Sequence, residues 1–255
     1  MYFVSPFDEA NVLVMDGYGD DAATSAYVGA GDQMKRRWHS EFFNSLGMVY
    51  TFVTVHLGFQ PFEEGTVMAL AAHGDDRYVQ RFRDTIHLVD DGRYRINMDY
   101  FTYDRYAFLK PFSDTFLAAF GPARGRDEAL TDHHKALARA LQVRIEETVL
   151  HVVRGLRAGN PSRNLVMTGG VALNCVANTR IHAEGGFDRV WVQPASGDSG
   201  TALGAALSLA ASFGEPIAPM PSARLGRGWS DERIEATLNE AAVDYERPGD
   251  VAAAV

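Results

Sequence analysis

Residues 164–211 read NLVMTGGVALNCVANTRIHAEGGFDRVWVQPASGDSGTALGAALSLAA, and this stretch decides the fold class. Asn164 to Met167 predicts a strand, Thr168-Gly169-Gly170 a tight turn, and Ala172 to Ile181 a short helix. Arg189 to Gln193 predicts a second strand, Pro194 to Gly200 a loop, and Thr201 to Ala211 a second helix. Strand, glycine turn and helix, given twice in succession, is the order of an α/β domain. The apolar run Ala202 to Phe213 falls short of the ~18 residues of a membrane span and reads as a buried helix.

Upstream, Leu137, Leu141, Ile145, Val149, Val152 and Leu156 recur every three or four positions, a single apolar stripe on a long helix over Thr131–Leu156. Gly159-Asn160-Pro161 ends it. Trp38 to Ala72 reads as helical in pieces: Phe42, Phe43, Leu46, Val49, Tyr50 and Val53 form one face, Gly58 and Pro61 interrupt it, and Thr66 to Ala72 resumes it. Ile86 to Leu109 reads as a β-hairpin or irregular insertion. Asn11 to Met15 predicts a strand, and Thr24 to Gly29 a second one across a Gly/Asp-rich hairpin or wider turn. With no strand before Asn11, this pairing predicts an open sheet edge at the start and sequence missing before it.

Downstream of Phe213 the punctuation of Gly214, Pro216, Pro219, Pro221, Gly226 and Gly228 marks a linker. Ser230-Asp231-Glu232 caps a helix carrying Ile234, Leu238 and Ala241. The division expected is a catalytic domain over 1–213 and a linker, 214–255, into a further domain that is cut off.

The 255 residues carry 24 basic and 33 acidic side chains, a net charge of −9. Such a balance disfavours broad contact with a nucleic-acid backbone, while a local basic patch can still take a nucleotide. Cys175 is the only cysteine, so no intrachain disulfide and no multi-thiolate zinc site can form; its apolar neighbours suggest a small buried side chain. Met1-Tyr2-Phe3-Val4 does not read as a signal peptide, and the expected setting is cytoplasmic.

Three glycine-rich turns follow β-like stretches: Asp16-Gly17-Tyr18-Gly19, Gly169-Gly170 and Gly197-Asp198-Ser199-Gly200. Each is either a structural turn or a place where backbone amides approach an anion such as phosphate. None is a P-loop or a dinucleotide fingerprint, but three at strand ends suggest a common cleft. Asp16 and Asp198 are either turn aspartates capping their own backbone or carboxylates holding a divalent cation at the mouth of a sheet. Two carboxylates do not complete a metal site, and neither H-x-x-x-H nor H-E-x-x-H occurs to supply the rest. Asn174 and Asn178 share a helix face and either meet solvent or hydrogen-bond a ribose or base. His133 and His134 are either a packed helix start or substrate contacts, with His134 the one candidate general base. Glu63 and Glu64 are either surface charge or cleft residues.

The strings GGVALNCVAN (169–178), SPFDEANVLVMDGYGD (5–20), SLGMVYTFVTVHLGF (45–59), EEGTVMALAAHG (63–74) and DHHKALARALQVRIEE (132–147) together resemble the NodU/CmcH-type O-carbamoyltransferases, which carbamoylate hydroxyls of antibiotics, sugars and nodulation factors. The resemblance implies a two-lobed actin-like ATPase (ribonuclease-H-like) fold, incomplete at the N-terminus. It implies that ATP and carbamoyl phosphate become carbamoyl-adenylate in a C-terminal domain, here missing. The catalytic domain then passes the carbamoyl group to a small hydroxylated acceptor. By the same resemblance Asp16 and Asp198 match metal-binding carboxylates, with Fe2+ the expected divalent metal, and Gly169, Gly170, Val171, Asn174 and Gly197 match nucleotide-contacting positions. The family's histidine ligands are expected upstream of residue 1. Thr66 stands where many relatives carry lysine. A threonylcarbamoyl transferase acting on tRNA, a non-catalytic nucleotide-binding remnant and a sugar-kinase-like enzyme remain alternatives.

Overall fold

The computed structural model describes residues 1–254; the chain divides into a large unit, Met1–Met220, and a small one, Pro221–Val255. The large unit is a mixed α/β domain built on a five-stranded sheet. Strands β1 (Glu9–Met15), β2 (Thr24–Ala30) and β3 (Gln33–Ser40) form an antiparallel meander, with Leu13 opposite Ala26 and a bulge between Ala26 and Tyr27. Helix α1 (Leu46–His56) follows, started by Ser45, whose hydroxyl accepts from the Met48 N–H at 3.0 Å. Helices α2 (Glu64–Ala71) and α3 (Val79–Phe82) lead to a separate hairpin of β4 (Ile86–Val89) and β5 (Arg93–Ile96). Short helices α4 (Tyr103–Tyr106) and α5 (Asp114–Phe120) precede α6 (Asp132–Gly159), the long helix the apolar stripe predicts.

The chain then returns to the sheet. Strand β6 (Asn164–Thr168), helix α7 (Cys175–Glu184), strand β7 (Arg189–Val192) and helix α8 (Thr201–Ser212) realise the predicted alternation. The strand order is β3-β2-β1-β6-β7, and β1, β6 and β7 run parallel, with Leu13 opposite Met167 and Val166 opposite Trp191. The core lies between the sheet and α1, α2, α6 and α7, where Leu13, Met167, Val53, Leu137, Leu141 and Ile181 are all fully buried.

Four expectations need correction. Strand β1 is no open edge: β6, arriving about 150 residues later, pairs with its free side, a long-range closure that no local pattern announces. Trp38 belongs to β3 and not to a helix; on an exposed edge strand the run of Lys35, Arg36 and Arg37 hides the alternation of a half-buried strand. Cys175 is exposed, because it is the first residue of α7 and faces away from the core. Helix α8 buries none of its residues; apolar content records what a helix could bury, whereas burial depends on a neighbour packing over it.

In the small unit, α9 (Asp231–Glu240) begins at the predicted cap, Ser230, whose hydroxyl accepts from the Arg233 N–H at 3.3 Å. No described helix is long and apolar enough to cross a membrane.

One core residue is expected to make the domain acid-sensitive. His56, at the end of α1, is 4% exposed, lies 5.0 Å and 5.3 Å from the rings of Phe112 and Phe116, and leaves Nε2 without a partner. Burial is the main cause of a drop in its pKa from 6.5 to about 4. The unfolded imidazole therefore takes its proton first as pH falls, and stability present above pH 6.5 is lost progressively down to about 4. The loss expected from this group is roughly 3 kcal/mol. Urea midpoints measured across that range should fall in the native chain, and His56→Leu should flatten the fall; equal slopes in both would remove His56 as the cause.

Candidate functional site

Parallel strands deliver their C-terminal ends to one edge of a sheet, where α/β proteins bind ligands. Here the residues after β1, β6 and β7 meet on a cavity of about 610 Å³. Asp16 and Gly17 come from the first turn, Gly170, Val171 and Asn174 from the second, and Pro194 and Ser196 to Ser199 from the third. Helices α1 and α2 close the opposite side with Tyr50, Thr51, Glu64 and Met68.

The first two turns are tied by a carboxylate. Asp16 Oδ1 accepts the Gly17 N–H at 2.7 Å and the Gly170 N–H at 3.3 Å. Ser45 adds a brace: its hydroxyl, besides capping α1, donates to the Gly17 carbonyl at 2.6 Å. Gly47, the second residue of α1, makes this approach possible, since a Cβ there would stand 2.7 Å from Gly17 Cα. The second and third turns are joined by the Gly169 N–H donating to the Ser196 carbonyl at 2.8 Å and by Thr168 Oγ1 donating to the same carbonyl at 3.2 Å. Gly169 itself has φ +93°, a conformation L side chains rarely adopt.

The sequence-picked residues are thus largely assembled in one place. Asp16, Gly170, Val171, Asn174, Gly197 and Asp198 line the cavity, and Gly169 stands directly behind it as a buried residue. Asp16 is half-buried and Asp198 exposed. Asn178 does not reach the lining; its amide donates to the Ala172 carbonyl at 2.8 Å and braces the turn from below. His134 also lies elsewhere. Its Nδ1 accepts the Thr131 N–H at 3.1 Å at the start of α6, while neighbouring His133 meets the Tyr78 hydroxyl at 2.8 Å. Desolvation lowers the His134 pKa.

The residues present fit a hard divalent cation only in part. Asp16 keeps one oxygen free of the backbone contacts that orient it, and Asp198 presents a second carboxylate on the same cavity. Among the described residues, however, no three His, Cys, Asp or Glu side chains gather into a metal-binding group. A cation held here would take its other ligands from outside this set.

The sequence reading overlooked most of the far wall. Tyr50 belongs to the apolar stripe of α1, yet its hydroxyl reaches the Gln142 Oε1 at 2.9 Å, and burial raises its pKa so that the phenol stays neutral. Thr51 Oγ1 donates to Glu64 Oε1 at 2.6 Å, which ties α1 to α2 across the cavity rim. Phe62 lines the cavity with 92% of its surface exposed and with φ +73°, a strained conformation for a bulky residue. Its neighbour Glu63 holds the turn by accepting the Gln60 N–H at 2.6 Å. Only Glu64 had a sequence signal, as one of the acidic pair flagged for a cleft.

Comparison with known proteins bears on the same residues. The family model described as "Carbamoyltransferase N-terminus" matches residues 1–207, which include every cavity-lining residue. An uncharacterized protein of Synechocystis is 40% identical over 252 residues, covering 95% of this chain and 40% of that protein. Nodulation protein NolO of Bradyrhizobium diazoefficiens is 32% identical over 265 residues, covering 98% of this chain and 45% of NolO. Nodulation protein NolNO of Sinorhizobium fredii is 33% identical over 215 residues, covering 84% and 30% respectively. The chain spans less than half the length of these curated relatives.

Proposed function

This chain belongs to the carbamoyltransferase N-terminal family, and from that membership we propose that it carries the transfer site of a NodU/CmcH-type O-carbamoyltransferase. In this reading the enzyme moves a carbamoyl group from carbamoyl phosphate, through carbamoyl-adenylate formed with ATP, to a hydroxyl of a small molecule or sugar. Residues 1–213 supply the transfer site, and 214–255 lead toward a separate adenylate-forming domain. The observation that carries the proposal is the convergence of Asp16, Asp198 and the Gly169–Gly170 turn on one cavity at the ends of three parallel strands. An antiparallel meander extended by two parallel strands also supports an actin-like, ribonuclease-H-like assignment of the fold.

Each group has a task in such a transfer. The amides of the glycine turns favour the anionic phosphate of the adenylate. The walls hold the mixed anhydride so that an acceptor oxygen can approach its carbonyl. Asp16 and Asp198 would hold a divalent cation, Fe2+ in the family resemblance, which when bound offsets negative charge on the carbonyl and departing phosphate oxygens. Thr51 and Glu64 offer hydrogen-bonding groups to a hydroxylated acceptor from the α1–α2 side.

Asp198 is exposed and takes no part in packing, so its removal tests chemistry rather than folding. In the full-length enzyme, given labelled carbamoyl phosphate, ATP and a panel of hydroxylated sugars, Asp198→Ala should abolish carbamate formation with an unchanged melting temperature. Native turnover and native metal content in the variant would remove Asp198 from the site.

A further inference from the structure

Behind the cavity wall lies a chain of polar side chains of which the transfer reading uses only Asn174. Gln142, on α6, is 2% exposed, and Glu146, one turn further along, is 7% exposed. Gln142 Nε2 donates to Glu146 Oε1 at 2.8 Å and to Asn174 Oδ1 at 3.1 Å. In return Asn174 Nδ2 donates to Gln142 Oε1 at 2.9 Å, and Tyr50 OH donates to the same oxygen at 2.9 Å. Glu146 is anchored by Arg180, whose guanidinium reaches Oε2 at 3.2 Å. Arg180 is itself held protonated, chiefly by Glu184.

The polarity of this chain is determined from its far end. A carboxylate only accepts hydrogen bonds, so Glu146 obliges Gln142 to turn its NH2 group toward it. The Gln142 oxygen then faces Tyr50 and Asn174, and Asn174 must answer with its own NH2. Asn174 Oδ1 is filled by Gln142 Nε2 and by the Ala177 N–H, which it caps at 3.0 Å. One Nδ2–H goes to Gln142. Among the described residues the other Nδ2–H has no protein acceptor, and it belongs to a side chain on the cavity wall.

We infer that Gln142 is a positioning residue that, oriented by the Glu146–Arg180 pair, fixes Asn174 as a hydrogen-bond donor into the cavity. The ligand must therefore meet this wall with an acceptor: a ring nitrogen, carbonyl or hydroxyl oxygen. A free carboxamide could flip and serve either partner, whereas this one is held in a single sense, and discrimination of this kind depends on buried polar groups that cannot rearrange. The identity of the ligand as a nucleotide rests on the proposed function; the positioning itself does not.

The two parts are separable by experiment. In the ligand-free chain, side-chain amide exchange followed by NMR should give Asn174 one protected proton, shared with Gln142, and one that exchanges freely. Gln142→Met, which keeps the volume, should leave both exposed; equal exchange of the two protons in the native chain would overturn the inference. Titration with AMP then reads the consequence. Gln142→Met and Asn174→Ser, the latter keeping a capping oxygen for α7, should each weaken AMP binding about tenfold, the order of one well-placed hydrogen bond. The double variant should bind no worse than Asn174→Ser alone, because Gln142 acts through Asn174. Native affinity in Gln142→Met, or losses that add in full, would overturn the positioning role. Failure of the native chain to bind AMP would instead count against the nucleotide reading, leaving the exchange measurement to decide the positioning.

Discussion

Gly169→Ala should cost the domain at least about 4 kcal/mol, a large part of the stability of an ordinary domain. Two effects add at this position. The backbone has φ +93° and ψ 161°, a region open essentially to glycine alone. A Cβ there would also stand 2.1 Å from the Met15 carbonyl oxygen, a backbone atom at the end of β1 that can move only if the strand moves. Relief would require β1 and β6 to separate where they carry Asp16 and Gly170, so the damage falls on the site itself. A thermal melt should drop by roughly 10 °C or more, or the variant should fail to accumulate as folded protein. Native melting would mean that the turn can relax without disturbing β1.

Asp16→Asn is the second large effect, and it acts on chemistry while sparing the fold. Asparagine keeps an oxygen to accept from Gly17 and Gly170, so the tie between the first two turns survives. It replaces the remaining carboxylate oxygen with an NH2 group, which cannot ligate a cation. On the proposed reading, in which Asp16 holds a cation, changes in the shell around a metal ligand commonly cost 10–100-fold, so losing this carboxylate should reduce carbamoyl transfer in the full-length enzyme by at least about 100-fold. Melting should shift by only a few degrees. Asp16→Ala removes both accepted hydrogen bonds as well and should lose stability along with activity. If Asp16→Asn turned over normally, the carboxylate would be a turn brace and no more.

The pair of variants also separates two meanings of a glycine–aspartate turn that look alike in sequence. Asp16 accepts from its own turn, at Gly17, as the first of its two readings expects, and it also lines the cavity, where a cation would be held on the second. What the sequence could not reveal is the contact to Gly170, 154 positions away, which turns a local cap into a link between strands. Gly169 was equally visible as a glycine after a strand, but the carbonyl of Met15 pressing on it was not.

Local order therefore lay open in the sequence. The strand–turn–helix alternation of 164–211, the stripe of α6 with its stop at Gly159-Asn160-Pro161 and the Ser230 cap all depend on neighbours within a few residues, and each matches the structure closely. So did the turns that line the cavity, because glycine and aspartate at strand ends are dictated by backbone geometry. The tertiary structure alone decided which strands pair. It made β1 an interior strand through β6, and β3 a strand where charged side chains masked the pattern. It also decided burial, leaving α8 and Cys175 exposed and drawing His56 into the core. Finally it turned Gln142, one polar residue beside the apolar stripe of α6, into the residue that orients Asn174. Pairing, burial and hydrogen-bond polarity are all set by partners distant in sequence, and a chain read from residue to residue carries no record of who those partners are.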